Sequence, residues 1–291
     1  MSGYWCRLSF GSTVGSVRPD RLLLRTEGAC DFDPEHLVEV FDEQRGRFVT
    51  VLEGFGPDDW VGPTPCADWS AHDVVRHLGD ANVIAAGARG RSLDVTAGFD
   101  PRITPREWLA ASAGESPDAT LDRLVATTEQ LCAVARVRLA EGRRFDAHLP
   151  YGRVDWTLVV LHAFWDSWIH ERDVLLAQGR EHPTDDDATV YATAYGLFIA
   201  AAVASLFGDQ VQETLTLGGE GGGVFDLDGR RPVTITVSRV TSAGPPAAQI
   251  ADALAGRSPI TAVLGDLAPG SRAALSRLAD FFNTPVEPTP T

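Results

Sequence analysis

Apolar residues recur at helical spacing through the first two thirds of the chain and alternate at every second position only later. Leu37, Phe41, Phe48, Leu52 and Phe55 follow Asp33-Pro34, where the carboxylate can cap a helix and proline takes its first position. The Gly54–Pro57 turn signals should end that helix. A second begins at Ser70, with Asp73 three residues on as a capping box, and places Val74, His77, Leu78 and Ala81 on its inner face. A polar stretch rich in Gly and Pro, 87–106, separates it from a third helix starting at Ser116-Pro117, with Leu121, Leu124, Val125, Thr128, Leu131 and Val134 on one side. A fourth helix is predicted over 155–178 and a fifth over 185–207. Five helices with no strand among them predict a bundle.

After Gly208 the period changes. Gln212–Leu217 and Val233–Val237 alternate apolar and polar residues as half-buried strands do, and helical patterns follow at 247–255 and 271–282. The predicted class is therefore α+β. A flexible extension over 1–30 precedes a four- or five-helix bundle over 31–208, and a small C-terminal α/β domain occupies 209–291.

Composition narrows the chemistry. With 291 residues and 44% hydrophobic content the chain has the balance of a globular enzyme, but a net charge of −15 makes nucleic acid an unsuitable partner. All 25 basic residues are Arg; with no Lys there is no Schiff-base lysine and no P-loop lysine. Cys6, Cys30, Cys66 and Cys132 are scattered and form neither a disulfide framework nor a zinc knuckle. No secretory signal opens the sequence, and the apolar run 195–207 is too short to cross a bilayer. A cytoplasmic protein without membrane contact, monomeric or homodimeric, is expected.

The most informative segment is LHAFWDSWIHERD, 161–173. His162, Asp166 and His170 follow one another at intervals of four, so each is rotated by about 40° and all share one stripe of a helix. Leu161, Phe164, Trp165, Trp168 and Ile169 flank the stripe, so the helix should be buried on most sides. A buried carboxylate beside imidazoles must be paired, hydrogen-bonded or metal-bound. His77 on the second helix is the natural third ligand for Asp166 and His170, and such a set leaves one coordination position open. The competing reading is a metal-free His–Asp–His hydrogen-bond chain, with His162 one turn removed from the ligands or, in a closed site, a fourth one.

The strings TPCADWSAHDVVRHL and DSWIHERDVL resemble the two signature segments of the DinB-like superfamily, most closely its mycothiol-dependent maleylpyruvate isomerase branch. Thr64, Pro65, Cys66, Trp69, Asp73, Val74, His77 and Leu78 fit the first pattern, and Asp166, His170 and Asp173 the second. The resemblance implies a divalent metal, usually zinc, on His77, Asp166 and His170, although the family more often has Glu at the Asp166 position. It implies mycothiol as the small thiol partner and a small electrophile as the other substrate. The segment ADALAGRSPITAVLGD also resembles the small C-terminal domain of that branch, in which an arginine contributes to activity. Arg257 is the candidate here, with a helix-end arginine as the plainer reading. Arg153, Arg172 and Arg257 are candidate contacts for an anionic cosubstrate.

Other signals fail. Gly218–Gly223 has no following helix or Lys and reads as a hairpin loop. His170-Glu171 begins a zincin motif, but Val174 stands where its second His belongs. Cys66 reads as a small buried thiol in preference to a nucleophile. Three function classes remain. The first is a metal- and mycothiol-dependent isomerase or S-transferase, in detoxification or natural-product biosynthesis. The second is a metal-dependent hydrolase with Asp80, His162 or Asp173 as base. The third is a non-catalytic ligand-binding or sensor protein.

Overall fold

The chain is described here by a computed structural model over residues 21–87, 93–94, 99–100, 103–183, 185–240 and 242–283. In chain order the elements are β1 (Arg21–Arg25), α1 (Pro34–Leu52), α2 (Pro57–Trp60), α3 (Ala71–Ala86), β2 (Leu93–Asp94), α4 (Thr104–Ala111) and α5 (Pro117–Ala140). There follow β3 (Asp146–Leu149), β4 (Gly152–Asp155), α6 (Thr157–Ala177), α7 (Asp186–Leu206), β5 (Gln212–Leu217), β6 (Gly223–Asp228) and β7 (Thr234–Ser238). The helices α8 (Ala247–Leu254), α9 (Ile260–Val263) and α10 (Pro269–Asn283) complete the series.

The caps foreseen in the sequence form. Asp33 accepts hydrogen bonds from the amides of Glu35 and His36, with Pro34 opening α1. Ser70 and Asp73 bond reciprocally at the start of α3, and Ser116 caps α5. Each satisfies amides that a helix N-terminus leaves without an internal partner.

Two features of the strands depart from expectation. The strand β1 lies within the segment read as a flexible extension, and residues 1–20 lie outside the described residues. β1 pairs antiparallel with β7 in a sheet of order β1-β7-β6-β5, with Leu22 opposite Val237 and Leu24 opposite Ile235. Burial of Leu22 and Leu24, not periodicity, makes this a strand; Leu23 is also apolar, so the five residues show no alternation. The C-terminal sheet is thus completed by the N-terminal part of the chain. The second departure is a hairpin, β3–β4, standing between helices where none was foreseen. Its two-residue turn is Pro150-Tyr151.

The helix α7 joins the two parts. It is long and apolar enough to suit a membrane span, but it packs inside the fold against α6, α8, α10 and the sheet. One large core runs from α6 and α7 through the sheet to α8 and α10. A smaller core lies under α3, built on Phe48, Leu52, Trp60, Val74, Leu78, Leu124 and Val174, with Cys66 and Trp69 packed at its margin.

Candidate metal centre

The helix α6 is buried at every position from Thr157 to Leu175 except His162 and Asp166, which are half-buried. Its rotation is set on the far side. There Glu171 accepts from Gln44 of α1 at 2.7 Å and meets His182 at 3.2 Å, and Ser167 donates to Gln44 at 2.6 Å. With that side locked, Asp166 and His170 are directed toward α3.

His77 of α3 meets them there. Its Nε2 lies 3.3 Å from one Asp166 oxygen, and His170 Nε2 lies 3.4 Å from the other. The donor atoms of His77, Asp166 and His170 all fall within 4.8 Å of one another. The three residues expected from the sequence are therefore brought together, and His162 is not part of the group.

The charges around the trio favour a cation. Burial alone would raise the Asp166 carboxyl, but His77 and His170 hold it well below the ordinary carboxylate range. Burial opposes charge on His170, yet the Cys66 sulfur and the Asp166 and Asp173 carboxylates raise it well above an ordinary imidazole. A proton or a metal ion would satisfy the same field.

The orientation of His170 comes from Asp173, whose carboxylate lies 2.9 Å from Nδ1. A proton on Nδ1 shared with that carboxylate leaves Nε2 with its lone pair toward His77 and Asp166, the arrangement that metal-ligating histidines require. Arg257 in turn donates to both Asp173 oxygens, at 2.7 and 2.6 Å. Burial would raise the Asp173 carboxyl, but His170 and Arg257 bring it down to about 2. Arg257 also donates to Cys66 Sγ at 3.3 Å and to the Ala255 carbonyl at 2.8 Å. One side chain therefore joins the end of α8 to both Asp173 and Cys66.

The loop before α3 supplies the roof. Thr64 donates to the Trp69 carbonyl at 2.9 Å and accepts from the Cys66 amide at 3.2 Å; Asp68 turns the chain with φ 67°. Asp tolerates this left-handed backbone better than most residues. The loop sets Trp69 at 5.0 Å from His77 and 6.3 Å from His170, ring centre to ring centre. Cys66 Sγ falls 3.4 Å from Asp173 and 3.7 Å from His170, forming with them a second donor group that spacing did not reveal.

Two other candidates lie elsewhere. Arg172 leaves α6 on another side, donating to Asp252 at 2.8 and 2.6 Å, with Trp168 under its guanidinium at 4.9 Å. Those contacts make it a buried link between α6 and α8, because its charge would be costly there without a carboxylate. Arg153 sits exposed on β4 and faces Asp146 at 3.5 Å. Neither contacts the trio, and each has a carboxylate as its nearest charged partner. Asp80, a candidate base, is held by Arg123 at 2.7 Å.

His162 is tied into a chain of hydroxyls. Its Nδ1 lies 2.9 Å from Tyr195 Oη, which lies 2.6 Å from Tyr151 Oη in the β3–β4 turn. Burial lowers the imidazole and raises both phenols, so all three groups are neutral. The tyrosines lie 44 residues apart and carry no sequence signal that would join them.

The residues present fit a divalent ion. Two imidazole nitrogens and one carboxylate converge, and a carboxylate fixes the outer nitrogen of one imidazole. His77 Nδ1 is buried without a hydrogen-bond partner, so that ring turns its other nitrogen to the group.

A family model described as the mycothiol maleylpyruvate isomerase N-terminal domain matches residues 41–175, a segment that contains the trio and Asp173. A crystal structure of a histidine-to-alanine mutant of the mycothiol-dependent maleylpyruvate isomerase superposes with a TM-score of 0.55 at 12% identity. It covers 78% of this chain and 91% of that one. No functionally curated protein shows significant sequence similarity to the chain. Over residues 41–175 the chain is thus similar to the mycothiol maleylpyruvate isomerase N-terminal domain, and its overall fold resembles that of the solved isomerase.

Proposed function

We propose that this protein is a metal- and mycothiol-dependent enzyme that adds a thiolate to a small unsaturated electrophile, with cis–trans isomerisation of a maleylpyruvate-type substrate as the outcome. The observation that carries the reading is the convergence of His77, Asp166 and His170 beneath Trp69, with His170 held by the Asp173–Arg257 pair. A divalent ion on these three ligands, zinc being the candidate, would keep a coordination position open and lower the pKa of a thiol placed there.

The chain's own residues have separable tasks. Asp173 keeps the His170 proton on Nδ1, so Nε2 is free to ligate. Arg257 keeps Asp173 ionised and carries the C-terminal segment into the site. Trp69 covers both imidazoles and excludes water from one side. A thiolate addition followed by rotation and loss of the thiol is isomerisation; retention of the sulfur is S-transfer.

The test is turnover of maleylpyruvate by the zinc-reconstituted protein with and without mycothiol. The reading expects product only with the thiol, loss of turnover after chelation, and recovery on adding zinc. Turnover without thiol would favour a metal-dependent hydrolase, and a stable sulfur adduct would assign S-transfer.

A further inference from the structure

The hydroxyl chain at His162 has one arrangement of protons that leaves no buried donor unmet. Tyr151 and Tyr195 are 2% and 0% exposed, and Tyr151 Oη has Tyr195 Oη as its partner. If His162 carried its proton on Nδ1 and gave it to Tyr195, one of the two tyrosine protons would have no acceptor. A buried donor left without an acceptor loses its water partner and gains nothing in exchange. In the remaining arrangement Tyr151 donates to Tyr195 and Tyr195 donates to Nδ1 of His162. The imidazole proton is then on Nε2.

A nitrogen bearing that proton cannot ligate a metal, which removes His162 as a fourth ligand. The side chain nevertheless shares the partly open stripe of α6 with Asp166, one turn away, while every neighbour from Thr157 to Leu175 is buried. The hydrogen bond it makes among the described residues runs through Nδ1. A fixed, neutral donor therefore stands beside the trio on the side that solvent reaches.

The geometry points to His162 as the residue that contacts the electrophile, donating an Nε2–H hydrogen bond to the oxygen of a carbonyl or carboxylate conjugated with its double bond. This assignment rests on the thiol-addition reading above. As the sulfur electron pair forms the C–S bond, the alkene π pair moves toward the conjugated carbonyl and its oxygen gains negative charge. The Nε2–H bond strengthens as that charge develops, which is how a preoriented donor lowers a barrier. No proton changes hands. When the C–S bond breaks, its electron pair returns to sulfur and the double bond re-forms about the rotated axis. Tyr195 and Tyr151 are positioning residues, acting only through the imidazole.

The experiment uses the zinc-supplemented full chain labelled with 15N-histidine, with the imidazole nitrogens correlated to the ring protons by NMR. A neutral His162 protonated on Nε2 is expected, and Tyr195→Phe should bring in the Nδ1-protonated form. Fumarate, a conjugated dicarboxylate, should shift the His162 Nε2–H resonance. In kinetics, His162→Phe should lower kcat/KM for the electrophile about 10²-fold, the loss of one such donor. Metal content and the thiol KM should not change, and His162→Gln should recover part of the rate through its amide N–H. A charged or Nδ1-protonated imidazole in the wild type, an unmoved resonance with fumarate, or wild-type kcat/KM in His162→Phe each overturns the assignment. If the wild type shows no thiol-dependent turnover, the proposed function fails, while the tautomer and the fumarate response still decide the donor.

Discussion

Asp173 touches His170 at 2.9 Å through Nδ1, three residues along the same helix, and the forked guanidinium of Arg257 holds both oxygens of its carboxylate. A residue from the C-terminal segment thus reaches His170 through one buried carboxylate, with Cys66 Sγ as a second and longer link. The orientation of His170 is therefore tied to a side chain 84 positions beyond Asp173 in sequence.

Asp173→Asn keeps the shape but weakens the hold on the His170 Nδ1 proton and leaves Arg257 without its ionised partner. Metal affinity should fall about 10- to 100-fold, as when the outer partner of a ligating histidine is lost. Competition with a chromogenic chelator reads this directly. Affinity equal to wild type would show that the carboxylate does not orient the ligand.

Arg172 is expected to act on stability, not on thiol binding. Arg172→Ala strands Asp252 and uncovers Trp168, and loss of one partner of a buried pair costs about 3–5 kcal/mol, less here because Asp252 is partly exposed. Chemical denaturation should show the loss while the thiol KM stays at its wild-type value. A raised thiol KM with unchanged stability would support the cosubstrate role expected of Arg172 on sequence grounds.

Burial pushes the Cys132 thiol up from 9.0 to about 11, so the folded state disfavours its ionisation. The corresponding stability is fully present below pH 9, where the unfolded chain is also protonated, and is lost as pH rises toward 11. A shift of this size amounts to about 3 kcal/mol. Stability curves for wild type and Cys132→Ala should therefore converge by that order between pH 9 and pH 11. Parallel curves would mean that Cys132 titrates as an ordinary thiol.

The site was legible where chemistry and period coincide. Asp166 and His170 share a helical stripe inside a largely apolar segment, and the Ser70–Asp73 cap fixes the helix that carries His77, so the convergence of these three residues followed from local pattern plus a resemblance. Arg257 was only a candidate by position; its role depends on a fold that returns the chain to α6. Arg172 and Arg153 could not be separated from it, because an arginine's charge is visible in sequence and its partner is not. The strand β1 escaped for a related reason: Leu22 and Leu24 face the core only because β7, more than two hundred residues later, lies beside them. Tyr151 and Tyr195 carry no local signal either, and the hairpin that delivers Tyr151 has strands of four residues. Long-range pairing decided each of these.

The proposed function requires that His77, Asp166 and His170 hold a divalent metal ion. Metal content should be measured on untagged protein purified without chelator, for wild type beside His170→Ala and His77→Ala. About one zinc or similar ion per chain is expected in wild type, with loss in both variants. Wild-type protein that binds no metal even after reconstitution would contradict the account and leave the trio as a buried hydrogen-bond chain.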